Sequence, residues 1–305
     1  MKTFRSNGKL LITGEYVVLD GAKALALPTK YGQSLNVEDN DVNSIVWKSY
    51  DEHNEIWFED EFYSNEIATS QKIETRNDIS SRLIQILKAT QELNPNFLNS
   101  SQGYNITTHQ DFNRNWGLGT SSTLINNIAN WAKVDAYELL EKTFGGSGYD
   151  IACAQHHSPI TYQLTKDLEP NIELVEFNPK FKNNLYMVYL NQKQNSRDGI
   201  KVYKGLNRVD NSIIKKVNQI TESMISCESL SNFNSLIAEH EHLIAELIGQ
   251  EPVKAKLFHD FEGAIKSLGA WGGDFVLVTS ETDPTDYFKH KGFETVIPFD
   301  KMVLQ

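Results

Sequence analysis

Apolar residues recur along the chain at two periods. Leu124, Ile125, Ile128, Ala129 and Ala132 share one face of a helix. Ile79, Leu83, Ile86, Leu87 and Leu93 do the same across 78–93, where Asn94-Pro95-Asn96 closes the pattern. Segments 34–38, 44–48 and 55–59 alternate instead and predict half-exposed strands. Residues 4–19 read as extended, through 9–13 and 16–19, with a hairpin-type turn at Asp20-Gly21. A strand at 104–108 leads towards a glycine-rich stretch, and a short helix near 136–143 runs into a second glycine cluster at 145–148. Ile160–Leu164 follows, and the chain then turns polar over 165–184. Beyond that come a strongly apolar strand (185–190), helices at 211–226, 231–248 and 253–268, the strand Phe275–Thr279, a charged helix (284–291) and a last strand (293–297). Strands interleaved with helices, with several hairpin signals, imply an α+β protein in two lobes, 1–180 and 181–305.

Composition narrows the class. The chain has 305 residues, 40 % apolar and 23 % charged, as expected of a soluble globular protein with a proper core. No apolar run approaches the roughly 18 residues that span a membrane, and Met1-Lys2-Thr3-Phe4-Arg5-Ser6 shows no apolar leader core. Cys153 and Cys227 are distant and form neither a disulfide framework nor a metal spacing, so a reducing cytoplasm is expected. The net charge of −11 argues against nucleic acid as a partner. It also means that an anionic substrate must be held by a local basic pocket against the overall field. No coiled-coil heptads occur, so any homodimer would form by surface or sheet-edge contacts.

Four stretches carry chemistry. Trp116-Gly117-Leu118-Gly119-Thr120-Ser121-Ser122-Thr123 places two glycines and a run of hydroxyls at the start of a helix. Glycine lets the backbone turn tightly, and the unpartnered N–H groups at the positive end of the helix suit an anion, most often phosphate. The same pattern is also that of a plain turn with a hydroxyl N-cap. It is neither a Walker A loop, since no Gly-Lys-[Ser/Thr] ends it, nor a dinucleotide fingerprint, since Ser122 stands at the third glycine's place. Hydroxyl oxygens there are natural Mg²⁺ donors beside phosphate. Gly8-Lys9-Leu10-Leu11-Ile12-Thr13-Gly14-Glu15-Tyr16 is a strand with an early lysine. Gly145-Gly146-Ser147-Gly148-Tyr149-Asp150 aims a carboxylate from a flexible turn, or simply closes that turn. Gly269-Ala270-Trp271-Gly272-Gly273-Asp274 turns tightly into a strand.

Together these stretches resemble the GHMP kinase superfamily. The opening Gly8-to-Tyr16 stretch, with Leu19, Gly21 and Ala24, resembles its first motif; Gly117-Leu118-Gly119-Thr120-Ser121-Ser122 resembles the phosphate loop; the Gly269-to-Asp274 stretch resembles the third glycine motif. They stand in the family's order across nearly the whole chain. Gly14-Glu15-Tyr16 followed by Val-Leu, Gly146-Ser147-Gly148-Tyr149-Asp150-Ile151-Ala152 and Gly272-Gly273-Asp274 are most similar to the phosphomevalonate and mevalonate kinases, and Gly-Tyr-Asp-Ile-Ala to a bacterial branch near them. Departures are Asn7 for proline, Thr120 for serine, Ser122 for alanine, Trp271 for a small residue, and a shortened segment after Ser122 that lacks the stretch carrying the metal-binding glutamate of mevalonate kinases.

The resemblance implies a two-lobed GHMP kinase fold, with an N-terminal mixed α/β ATP-binding domain and a C-terminal ferredoxin-like domain. It implies ATP as phosphoryl donor and Mg²⁺ as counterion, with Gly117, Leu118, Gly119, Thr120, Ser121 and Ser122 around the phosphates and Ser121 on the metal. Asp150 aligns with the base and Lys9 with the lysine that keeps that base ionised. Tyr16, Lys193, Ser196 and Arg197, with Lys30 nearby, are expected to face a small anionic substrate of the mevalonate type. A kinase for a sugar or homoserine, or a ligand-binding protein of the same fold without catalysis, are the other readings.

Overall fold

The computed structural model describes residues 1–69, 76–98, 102–194, 196–205 and 209–305. Its contacts gather into two compact units, each discontinuous in sequence. The first contains Met1–Gly8, Tyr31–Arg114 and Gly119–Gln155; the second contains Lys9–Lys30, Asn115–Leu118 and His156–Gln305.

In the first unit lie the start of strand β1 (Lys2–Leu11), the end of the long strand β2 (Ala24–Asn40), β3 (Ile45–Tyr50) and β4 (Ile56–Phe62). Helices α1 (Ser64–Thr69) and α2 (Asp78–Leu93), strand β5 (Gly103–Gln110) and helices α3 (Thr120–Ala132), α4 (Ala136–Thr143) and α5 (Tyr149–Gln155) follow. The strand order here is β4-β3-β5-β2. β3 runs parallel to β5, and β2 antiparallel to it from Gln33↔Gln110 to Asn40↔Gly103. The helical periods bury as the pattern implies: Leu83, Ile86 and Leu87 of α2 and Ile125, Ile128, Ala129 and Ala132 of α3 share one core with Trp47, Phe62 and Ile106 of the sheet. Asn77 caps α2 by accepting from the Ile79 and Ser80 N–H groups, and Asp135 caps α4 likewise.

In the second unit, Ala24, Leu25 and Ala26 of β2 pair with β6 (Ile160–Leu164), which forms a hairpin with β7 (Pro170–Leu174). The remainder is β8 (Leu185–Tyr189), α6 (Ser196–Lys204), α7 (Asn211–Ile225), α8 (Leu230–Ile248), α9 (Val253–Leu257), β9 (Ile265–Ser267), β10 (Phe275–Thr279), α10 (Thr285–His290), β11 (Val296–Pro298) and α11 (Phe299–Met302). A four-stranded antiparallel sheet runs β11-β8-β10-β9. The α+β class is therefore as expected, down to the separate antiparallel sheet of the C-terminal part.

Three local expectations change. Residues 17–20 form a 3₁₀ turn rather than a strand, because Tyr16 at φ 63 and Gly21 at φ 83 bend the chain at both ends. The helix expected over 253–268 stops at Leu257, and Ile265–Ser267 pairs with β10 as an edge strand. Helices α1, α6 and α11 were not foreseen, each being too short for a local period to stand out. No helix among the described residues is long and apolar enough to cross a membrane.

Candidate functional site

The glycine stretch does become a turn into a helix. Gly117 (φ 66) and Gly119 (φ 91) both occupy the left-handed region that disfavours side chains. Gly119 is the N-cap of α3, so no side chain accepts from the first-turn N–H groups. A 13-residue helix thus begins with its positive end uncapped by its own sequence. The three hydroxyls differ. Thr120 Oγ1 accepts from Gln110 Nε2 at 3.0 Å, Ser122 is buried, and Ser121 is exposed. Deeper in α3 a buried polar chain runs from Gln155 Nε2 to Asn126 Oδ1 (3.0 Å), from Asn126 Nδ2 to Ser6 Oγ (2.9 Å), from Ser6 Oγ to Asn127 Oδ1 (2.8 Å) and from Asn127 Nδ2 to the Gln33 carbonyl (2.9 Å). It fixes α3 against β1, β2 and the end of α5. Asp150 sits, half-buried, in the first turn of α5, which packs on α3.

The second unit holds the other end of the turn. Lys9 Nζ donates to the Gly117 carbonyl at 3.0 Å, and the Lys9 N–H to the Leu118 carbonyl at 3.0 Å. Lys9, early in β1, is thereby docked on the glycine turn. A Cβ at Gly117 would run into the carboxyl group of Asp274. That carboxyl also accepts from the Gln194 N–H at 3.1 Å. Burial pushes its pKa up, while the positive charges of Lys9 and Lys193 pull it back.

No protein-family model matches the chain, and no curated protein does. Solved structures do. The mevalonate kinase of Methanococcus jannaschii aligns at a TM-score of 0.71 and 17 % identity, over 97 % of this chain and 96 % of that one. Streptococcus pneumoniae phosphomevalonate kinase, in complex with phosphomevalonate and AMPPNP, aligns at 0.69 and 14 % identity over 95 % and 96 %. Lactococcus lactis galactokinase complexed with galactose aligns at 0.62 and 10 % identity over 95 % and 88 %. The chain has the GHMP kinase fold.

The residues expected around a substrate separate on this GHMP kinase scaffold. Tyr16 is nearly sealed: its hydroxyl donates to the Ala270 carbonyl at 2.9 Å, its ring stacks on Tyr203 at 5.5 Å, and burial pushes its pKa up to about 12. It joins the first glycine motif to the third. Trp271 is buried in the same cluster with Tyr203, Val217 and Ile244. Lys193 is exposed in the loop after β8 and lies within electrostatic reach of Asp274. The side chains of Ser196 and Arg197 lie outside the described residues. Lys30 Nζ donates to the Asp300 carbonyl at 2.5 Å.

Sequence reasoning missed a buried ionic cluster behind the first motif. Glu15, Lys266 and His240 are fully buried and Glu241 nearly so. Lys266 Nζ donates to Glu15 Oε1 and to the Ser267 carbonyl, and the Ser267 N–H donates to Glu241 Oε1. His240 Nε2 accepts from the Gly14 N–H at 3.1 Å and lies 3.4 Å from Glu15 Oε2. Burial pushes Glu15 up to about 7 despite Lys266, and burial with Lys266 holds His240 well below its ordinary value. Only the invariable cost of burying an unpaired charge hints at such a set, and nothing in the local sequence marks its members.

Proposed function

We propose that the protein is an ATP-dependent small-molecule kinase whose acceptor is phosphomevalonate or mevalonate. The observation that carries this reading is the docking of Lys9 on a glycine turn that opens into an uncapped helix, on a fold shared with kinases of that substrate class. A backbone cradle suits phosphoryl transfer, where positioning and charge neutralisation do most of the work. In this reading Gly117, Leu118, Gly119, Thr120, Ser121 and Ser122 surround the phosphates of ATP. Asp150 accepts the proton of the attacking hydroxyl or phosphate, a contribution of about 10²–10⁴-fold. Lys9 balances charge at the transferred group and keeps Asp150 ionised. Lys193, Ser196 and Arg197 face the acceptor's anionic end, and Tyr16 shapes the pocket from behind through its hold on Ala270.

The donor set fits Mg²⁺. Ser121 offers an exposed hydroxyl oxygen on the first turn of α3, a hard donor of the kind that Mg²⁺ takes. A sparse protein set is what Mg²⁺ takes when phosphates supply most of its ligands. When bound, the ion would neutralise charge on the phosphates, with Ser121 as its protein ligand.

The test is a coupled ADP-release assay with Mg·ATP and mevalonate, 5-phosphomevalonate, homoserine or galactose. Turnover with phosphomevalonate, reduced at least about a hundredfold in Asp150→Asn, supports the reading. Turnover with galactose or homoserine alone keeps the chemistry and moves the substrate, an outcome the galactokinase likeness makes worth measuring. ATP binding without turnover on any of them favours a non-catalytic ligand-binding role.

A further inference from the structure

Asp274 ends the third glycine motif, and none of the roles above uses it. Its backbone sits at φ 51, in the left-handed region, although it carries a side chain. Such a conformation is disfavoured for a residue with a side chain and persists only where the surroundings impose it. They do so here. The Asp274 N–H donates to the Gln192 carbonyl at 2.6 Å, the Leu190 N–H donates to the Asp274 carbonyl at 2.8 Å, and the Gln194 N–H donates to Oδ1 at 3.1 Å. The residue is 8 % exposed, and its carboxyl fills the space that a side chain at position 117 would need.

This places an acidic group against the turn that the kinase reading assigns to phosphate, which is the wrong charge for a phosphate ligand. The charged and titratable groups around it are Lys9 on β1, Lys193 after β8 and the phenol of Tyr189 on β8. Two of the three are cations, and Lys9 is at the same time hydrogen-bonded to the Gly117 carbonyl. The carboxylate and Lys9 thus meet the same glycine, Gly117, before any ligand arrives, and the carboxylate lies within the field of Lys9.

We propose that Asp274 is the internal anion of the glycine turn: ionised, it holds Lys9 and Gly117 in register while the turn is empty of phosphate, and it takes a proton when a phosphate binds. The proton comes from solvent and ends on a carboxylate oxygen, so the negative charge beside Lys9 passes from the protein to the ligand. Burial already disfavours the ionised carboxyl, and a second anion nearby adds to that. The neutral acid keeps its backbone partners and its place against Gly117. Asp274 is a positioning residue in this scheme, acting through Lys9 and the turn. The scheme rests on the kinase reading only for the statement that the turn binds phosphate.

Calorimetric titration of the whole protein with Mg·ADP, in two buffers of different ionisation enthalpy between pH 5 and 8, tests it. The expected result is net proton uptake in the wild type that is larger than in Asp274→Asn at the same pH. Asp274→Asn is also expected to bind Mg·ADP more tightly at the alkaline end, by a margin that widens up to about tenfold per pH unit, as linkage to one proton requires. A merely structural role would weaken binding and turnover together. If Asp274→Asn does not fold, Asp274→Ser takes its place. Equal proton counts in wild type and variant, or weaker ADP binding with an unchanged pH dependence, would overturn the assignment of Asp274 alone. Absence of Mg·ADP binding to the folded wild type would overturn both the assignment and the kinase reading.

Discussion

Two lysine–carboxylate neighbourhoods involve the single stretch Gly8-to-Tyr16, one a direct ion pair and the other acting through charge at a shared turn. Lys266 and Glu15 are fully buried beside Glu241, His240 and Ser267; Lys266 Nζ donates to Glu15 Oε1 and to the Ser267 carbonyl, while Glu15 Oε2 and His240 Nδ1 have no hydrogen-bond partner. Lys9 and Asp274 are also buried, though at 9 % and 8 % exposure less completely, and Lys9 spends a hydrogen bond on a backbone carbonyl of a glycine turn. The first pair is closed on itself, so its charges answer to the protein and to pH. The second shares its field with a turn whose neighbouring helix start has no side-chain cap. Burial alone therefore does not separate a structural charge from a functional one. What separates them is whether the neighbours are other sealed side chains or a backbone turn at a helix start.

The sharpest break in this comparison is Lys266→Met. It leaves Glu15 and Glu241 buried beside each other without a cation, a loss of about 3–5 kcal/mol. Urea denaturation should show a much lower midpoint; an unchanged midpoint would mean that the cluster carries no charge. Lys9→Ala comes next and should behave in the opposite way. Its turnover is expected to fall at least about a hundredfold, with a stability cost near that of one hydrogen bond, about 1 kcal/mol. A variant that unfolds instead of losing activity would place Lys9 with Lys266.

The smallest effect is a change in pH dependence. Glu15 in the folded protein titrates near 7, above its ordinary 4.5. Its contribution to stability is complete below pH 4.5 and is lost as pH rises through 7. His240 works in the other sense: it stays neutral when folded, so stability falls as pH drops below its ordinary 6.5. Glu15→Gln should remove the alkaline arm and leave the acid arm, measured as the melting temperature from pH 5 to 8. Persistence of the alkaline arm would move the titration to another group.

Much of the fold was legible because it depends on neighbours in the chain. The periods of α2, α3 and α8 and the alternation in β3 and β4 emerged within a few residues of their predicted limits. The segment 253–268 misled because apolar spacing alone does not distinguish a helix from a short helix followed by an edge strand. Pairing with β10 and the demand of Glu15 for Lys266 decided it. The glycine turn was legible as a turn; that Lys9 docks on it was not, since the resemblance pointed Lys9 only at Asp150 and the transferred group. Asp274 was noticed only as part of a glycine motif, because its contact with Gly117 leaves no local trace.

The sequence by itself determined where helices begin, which glycines permit left-handed turns, and which hydroxyls follow them, since those choices are settled by steric and hydrogen-bonding preferences among adjacent residues. Only the tertiary structure decided which charges are sealed and which stand at the turn. Glu15 meets Lys266 from 251 positions away, and no local pattern encodes the desolvation that then raises the pKa of Glu15.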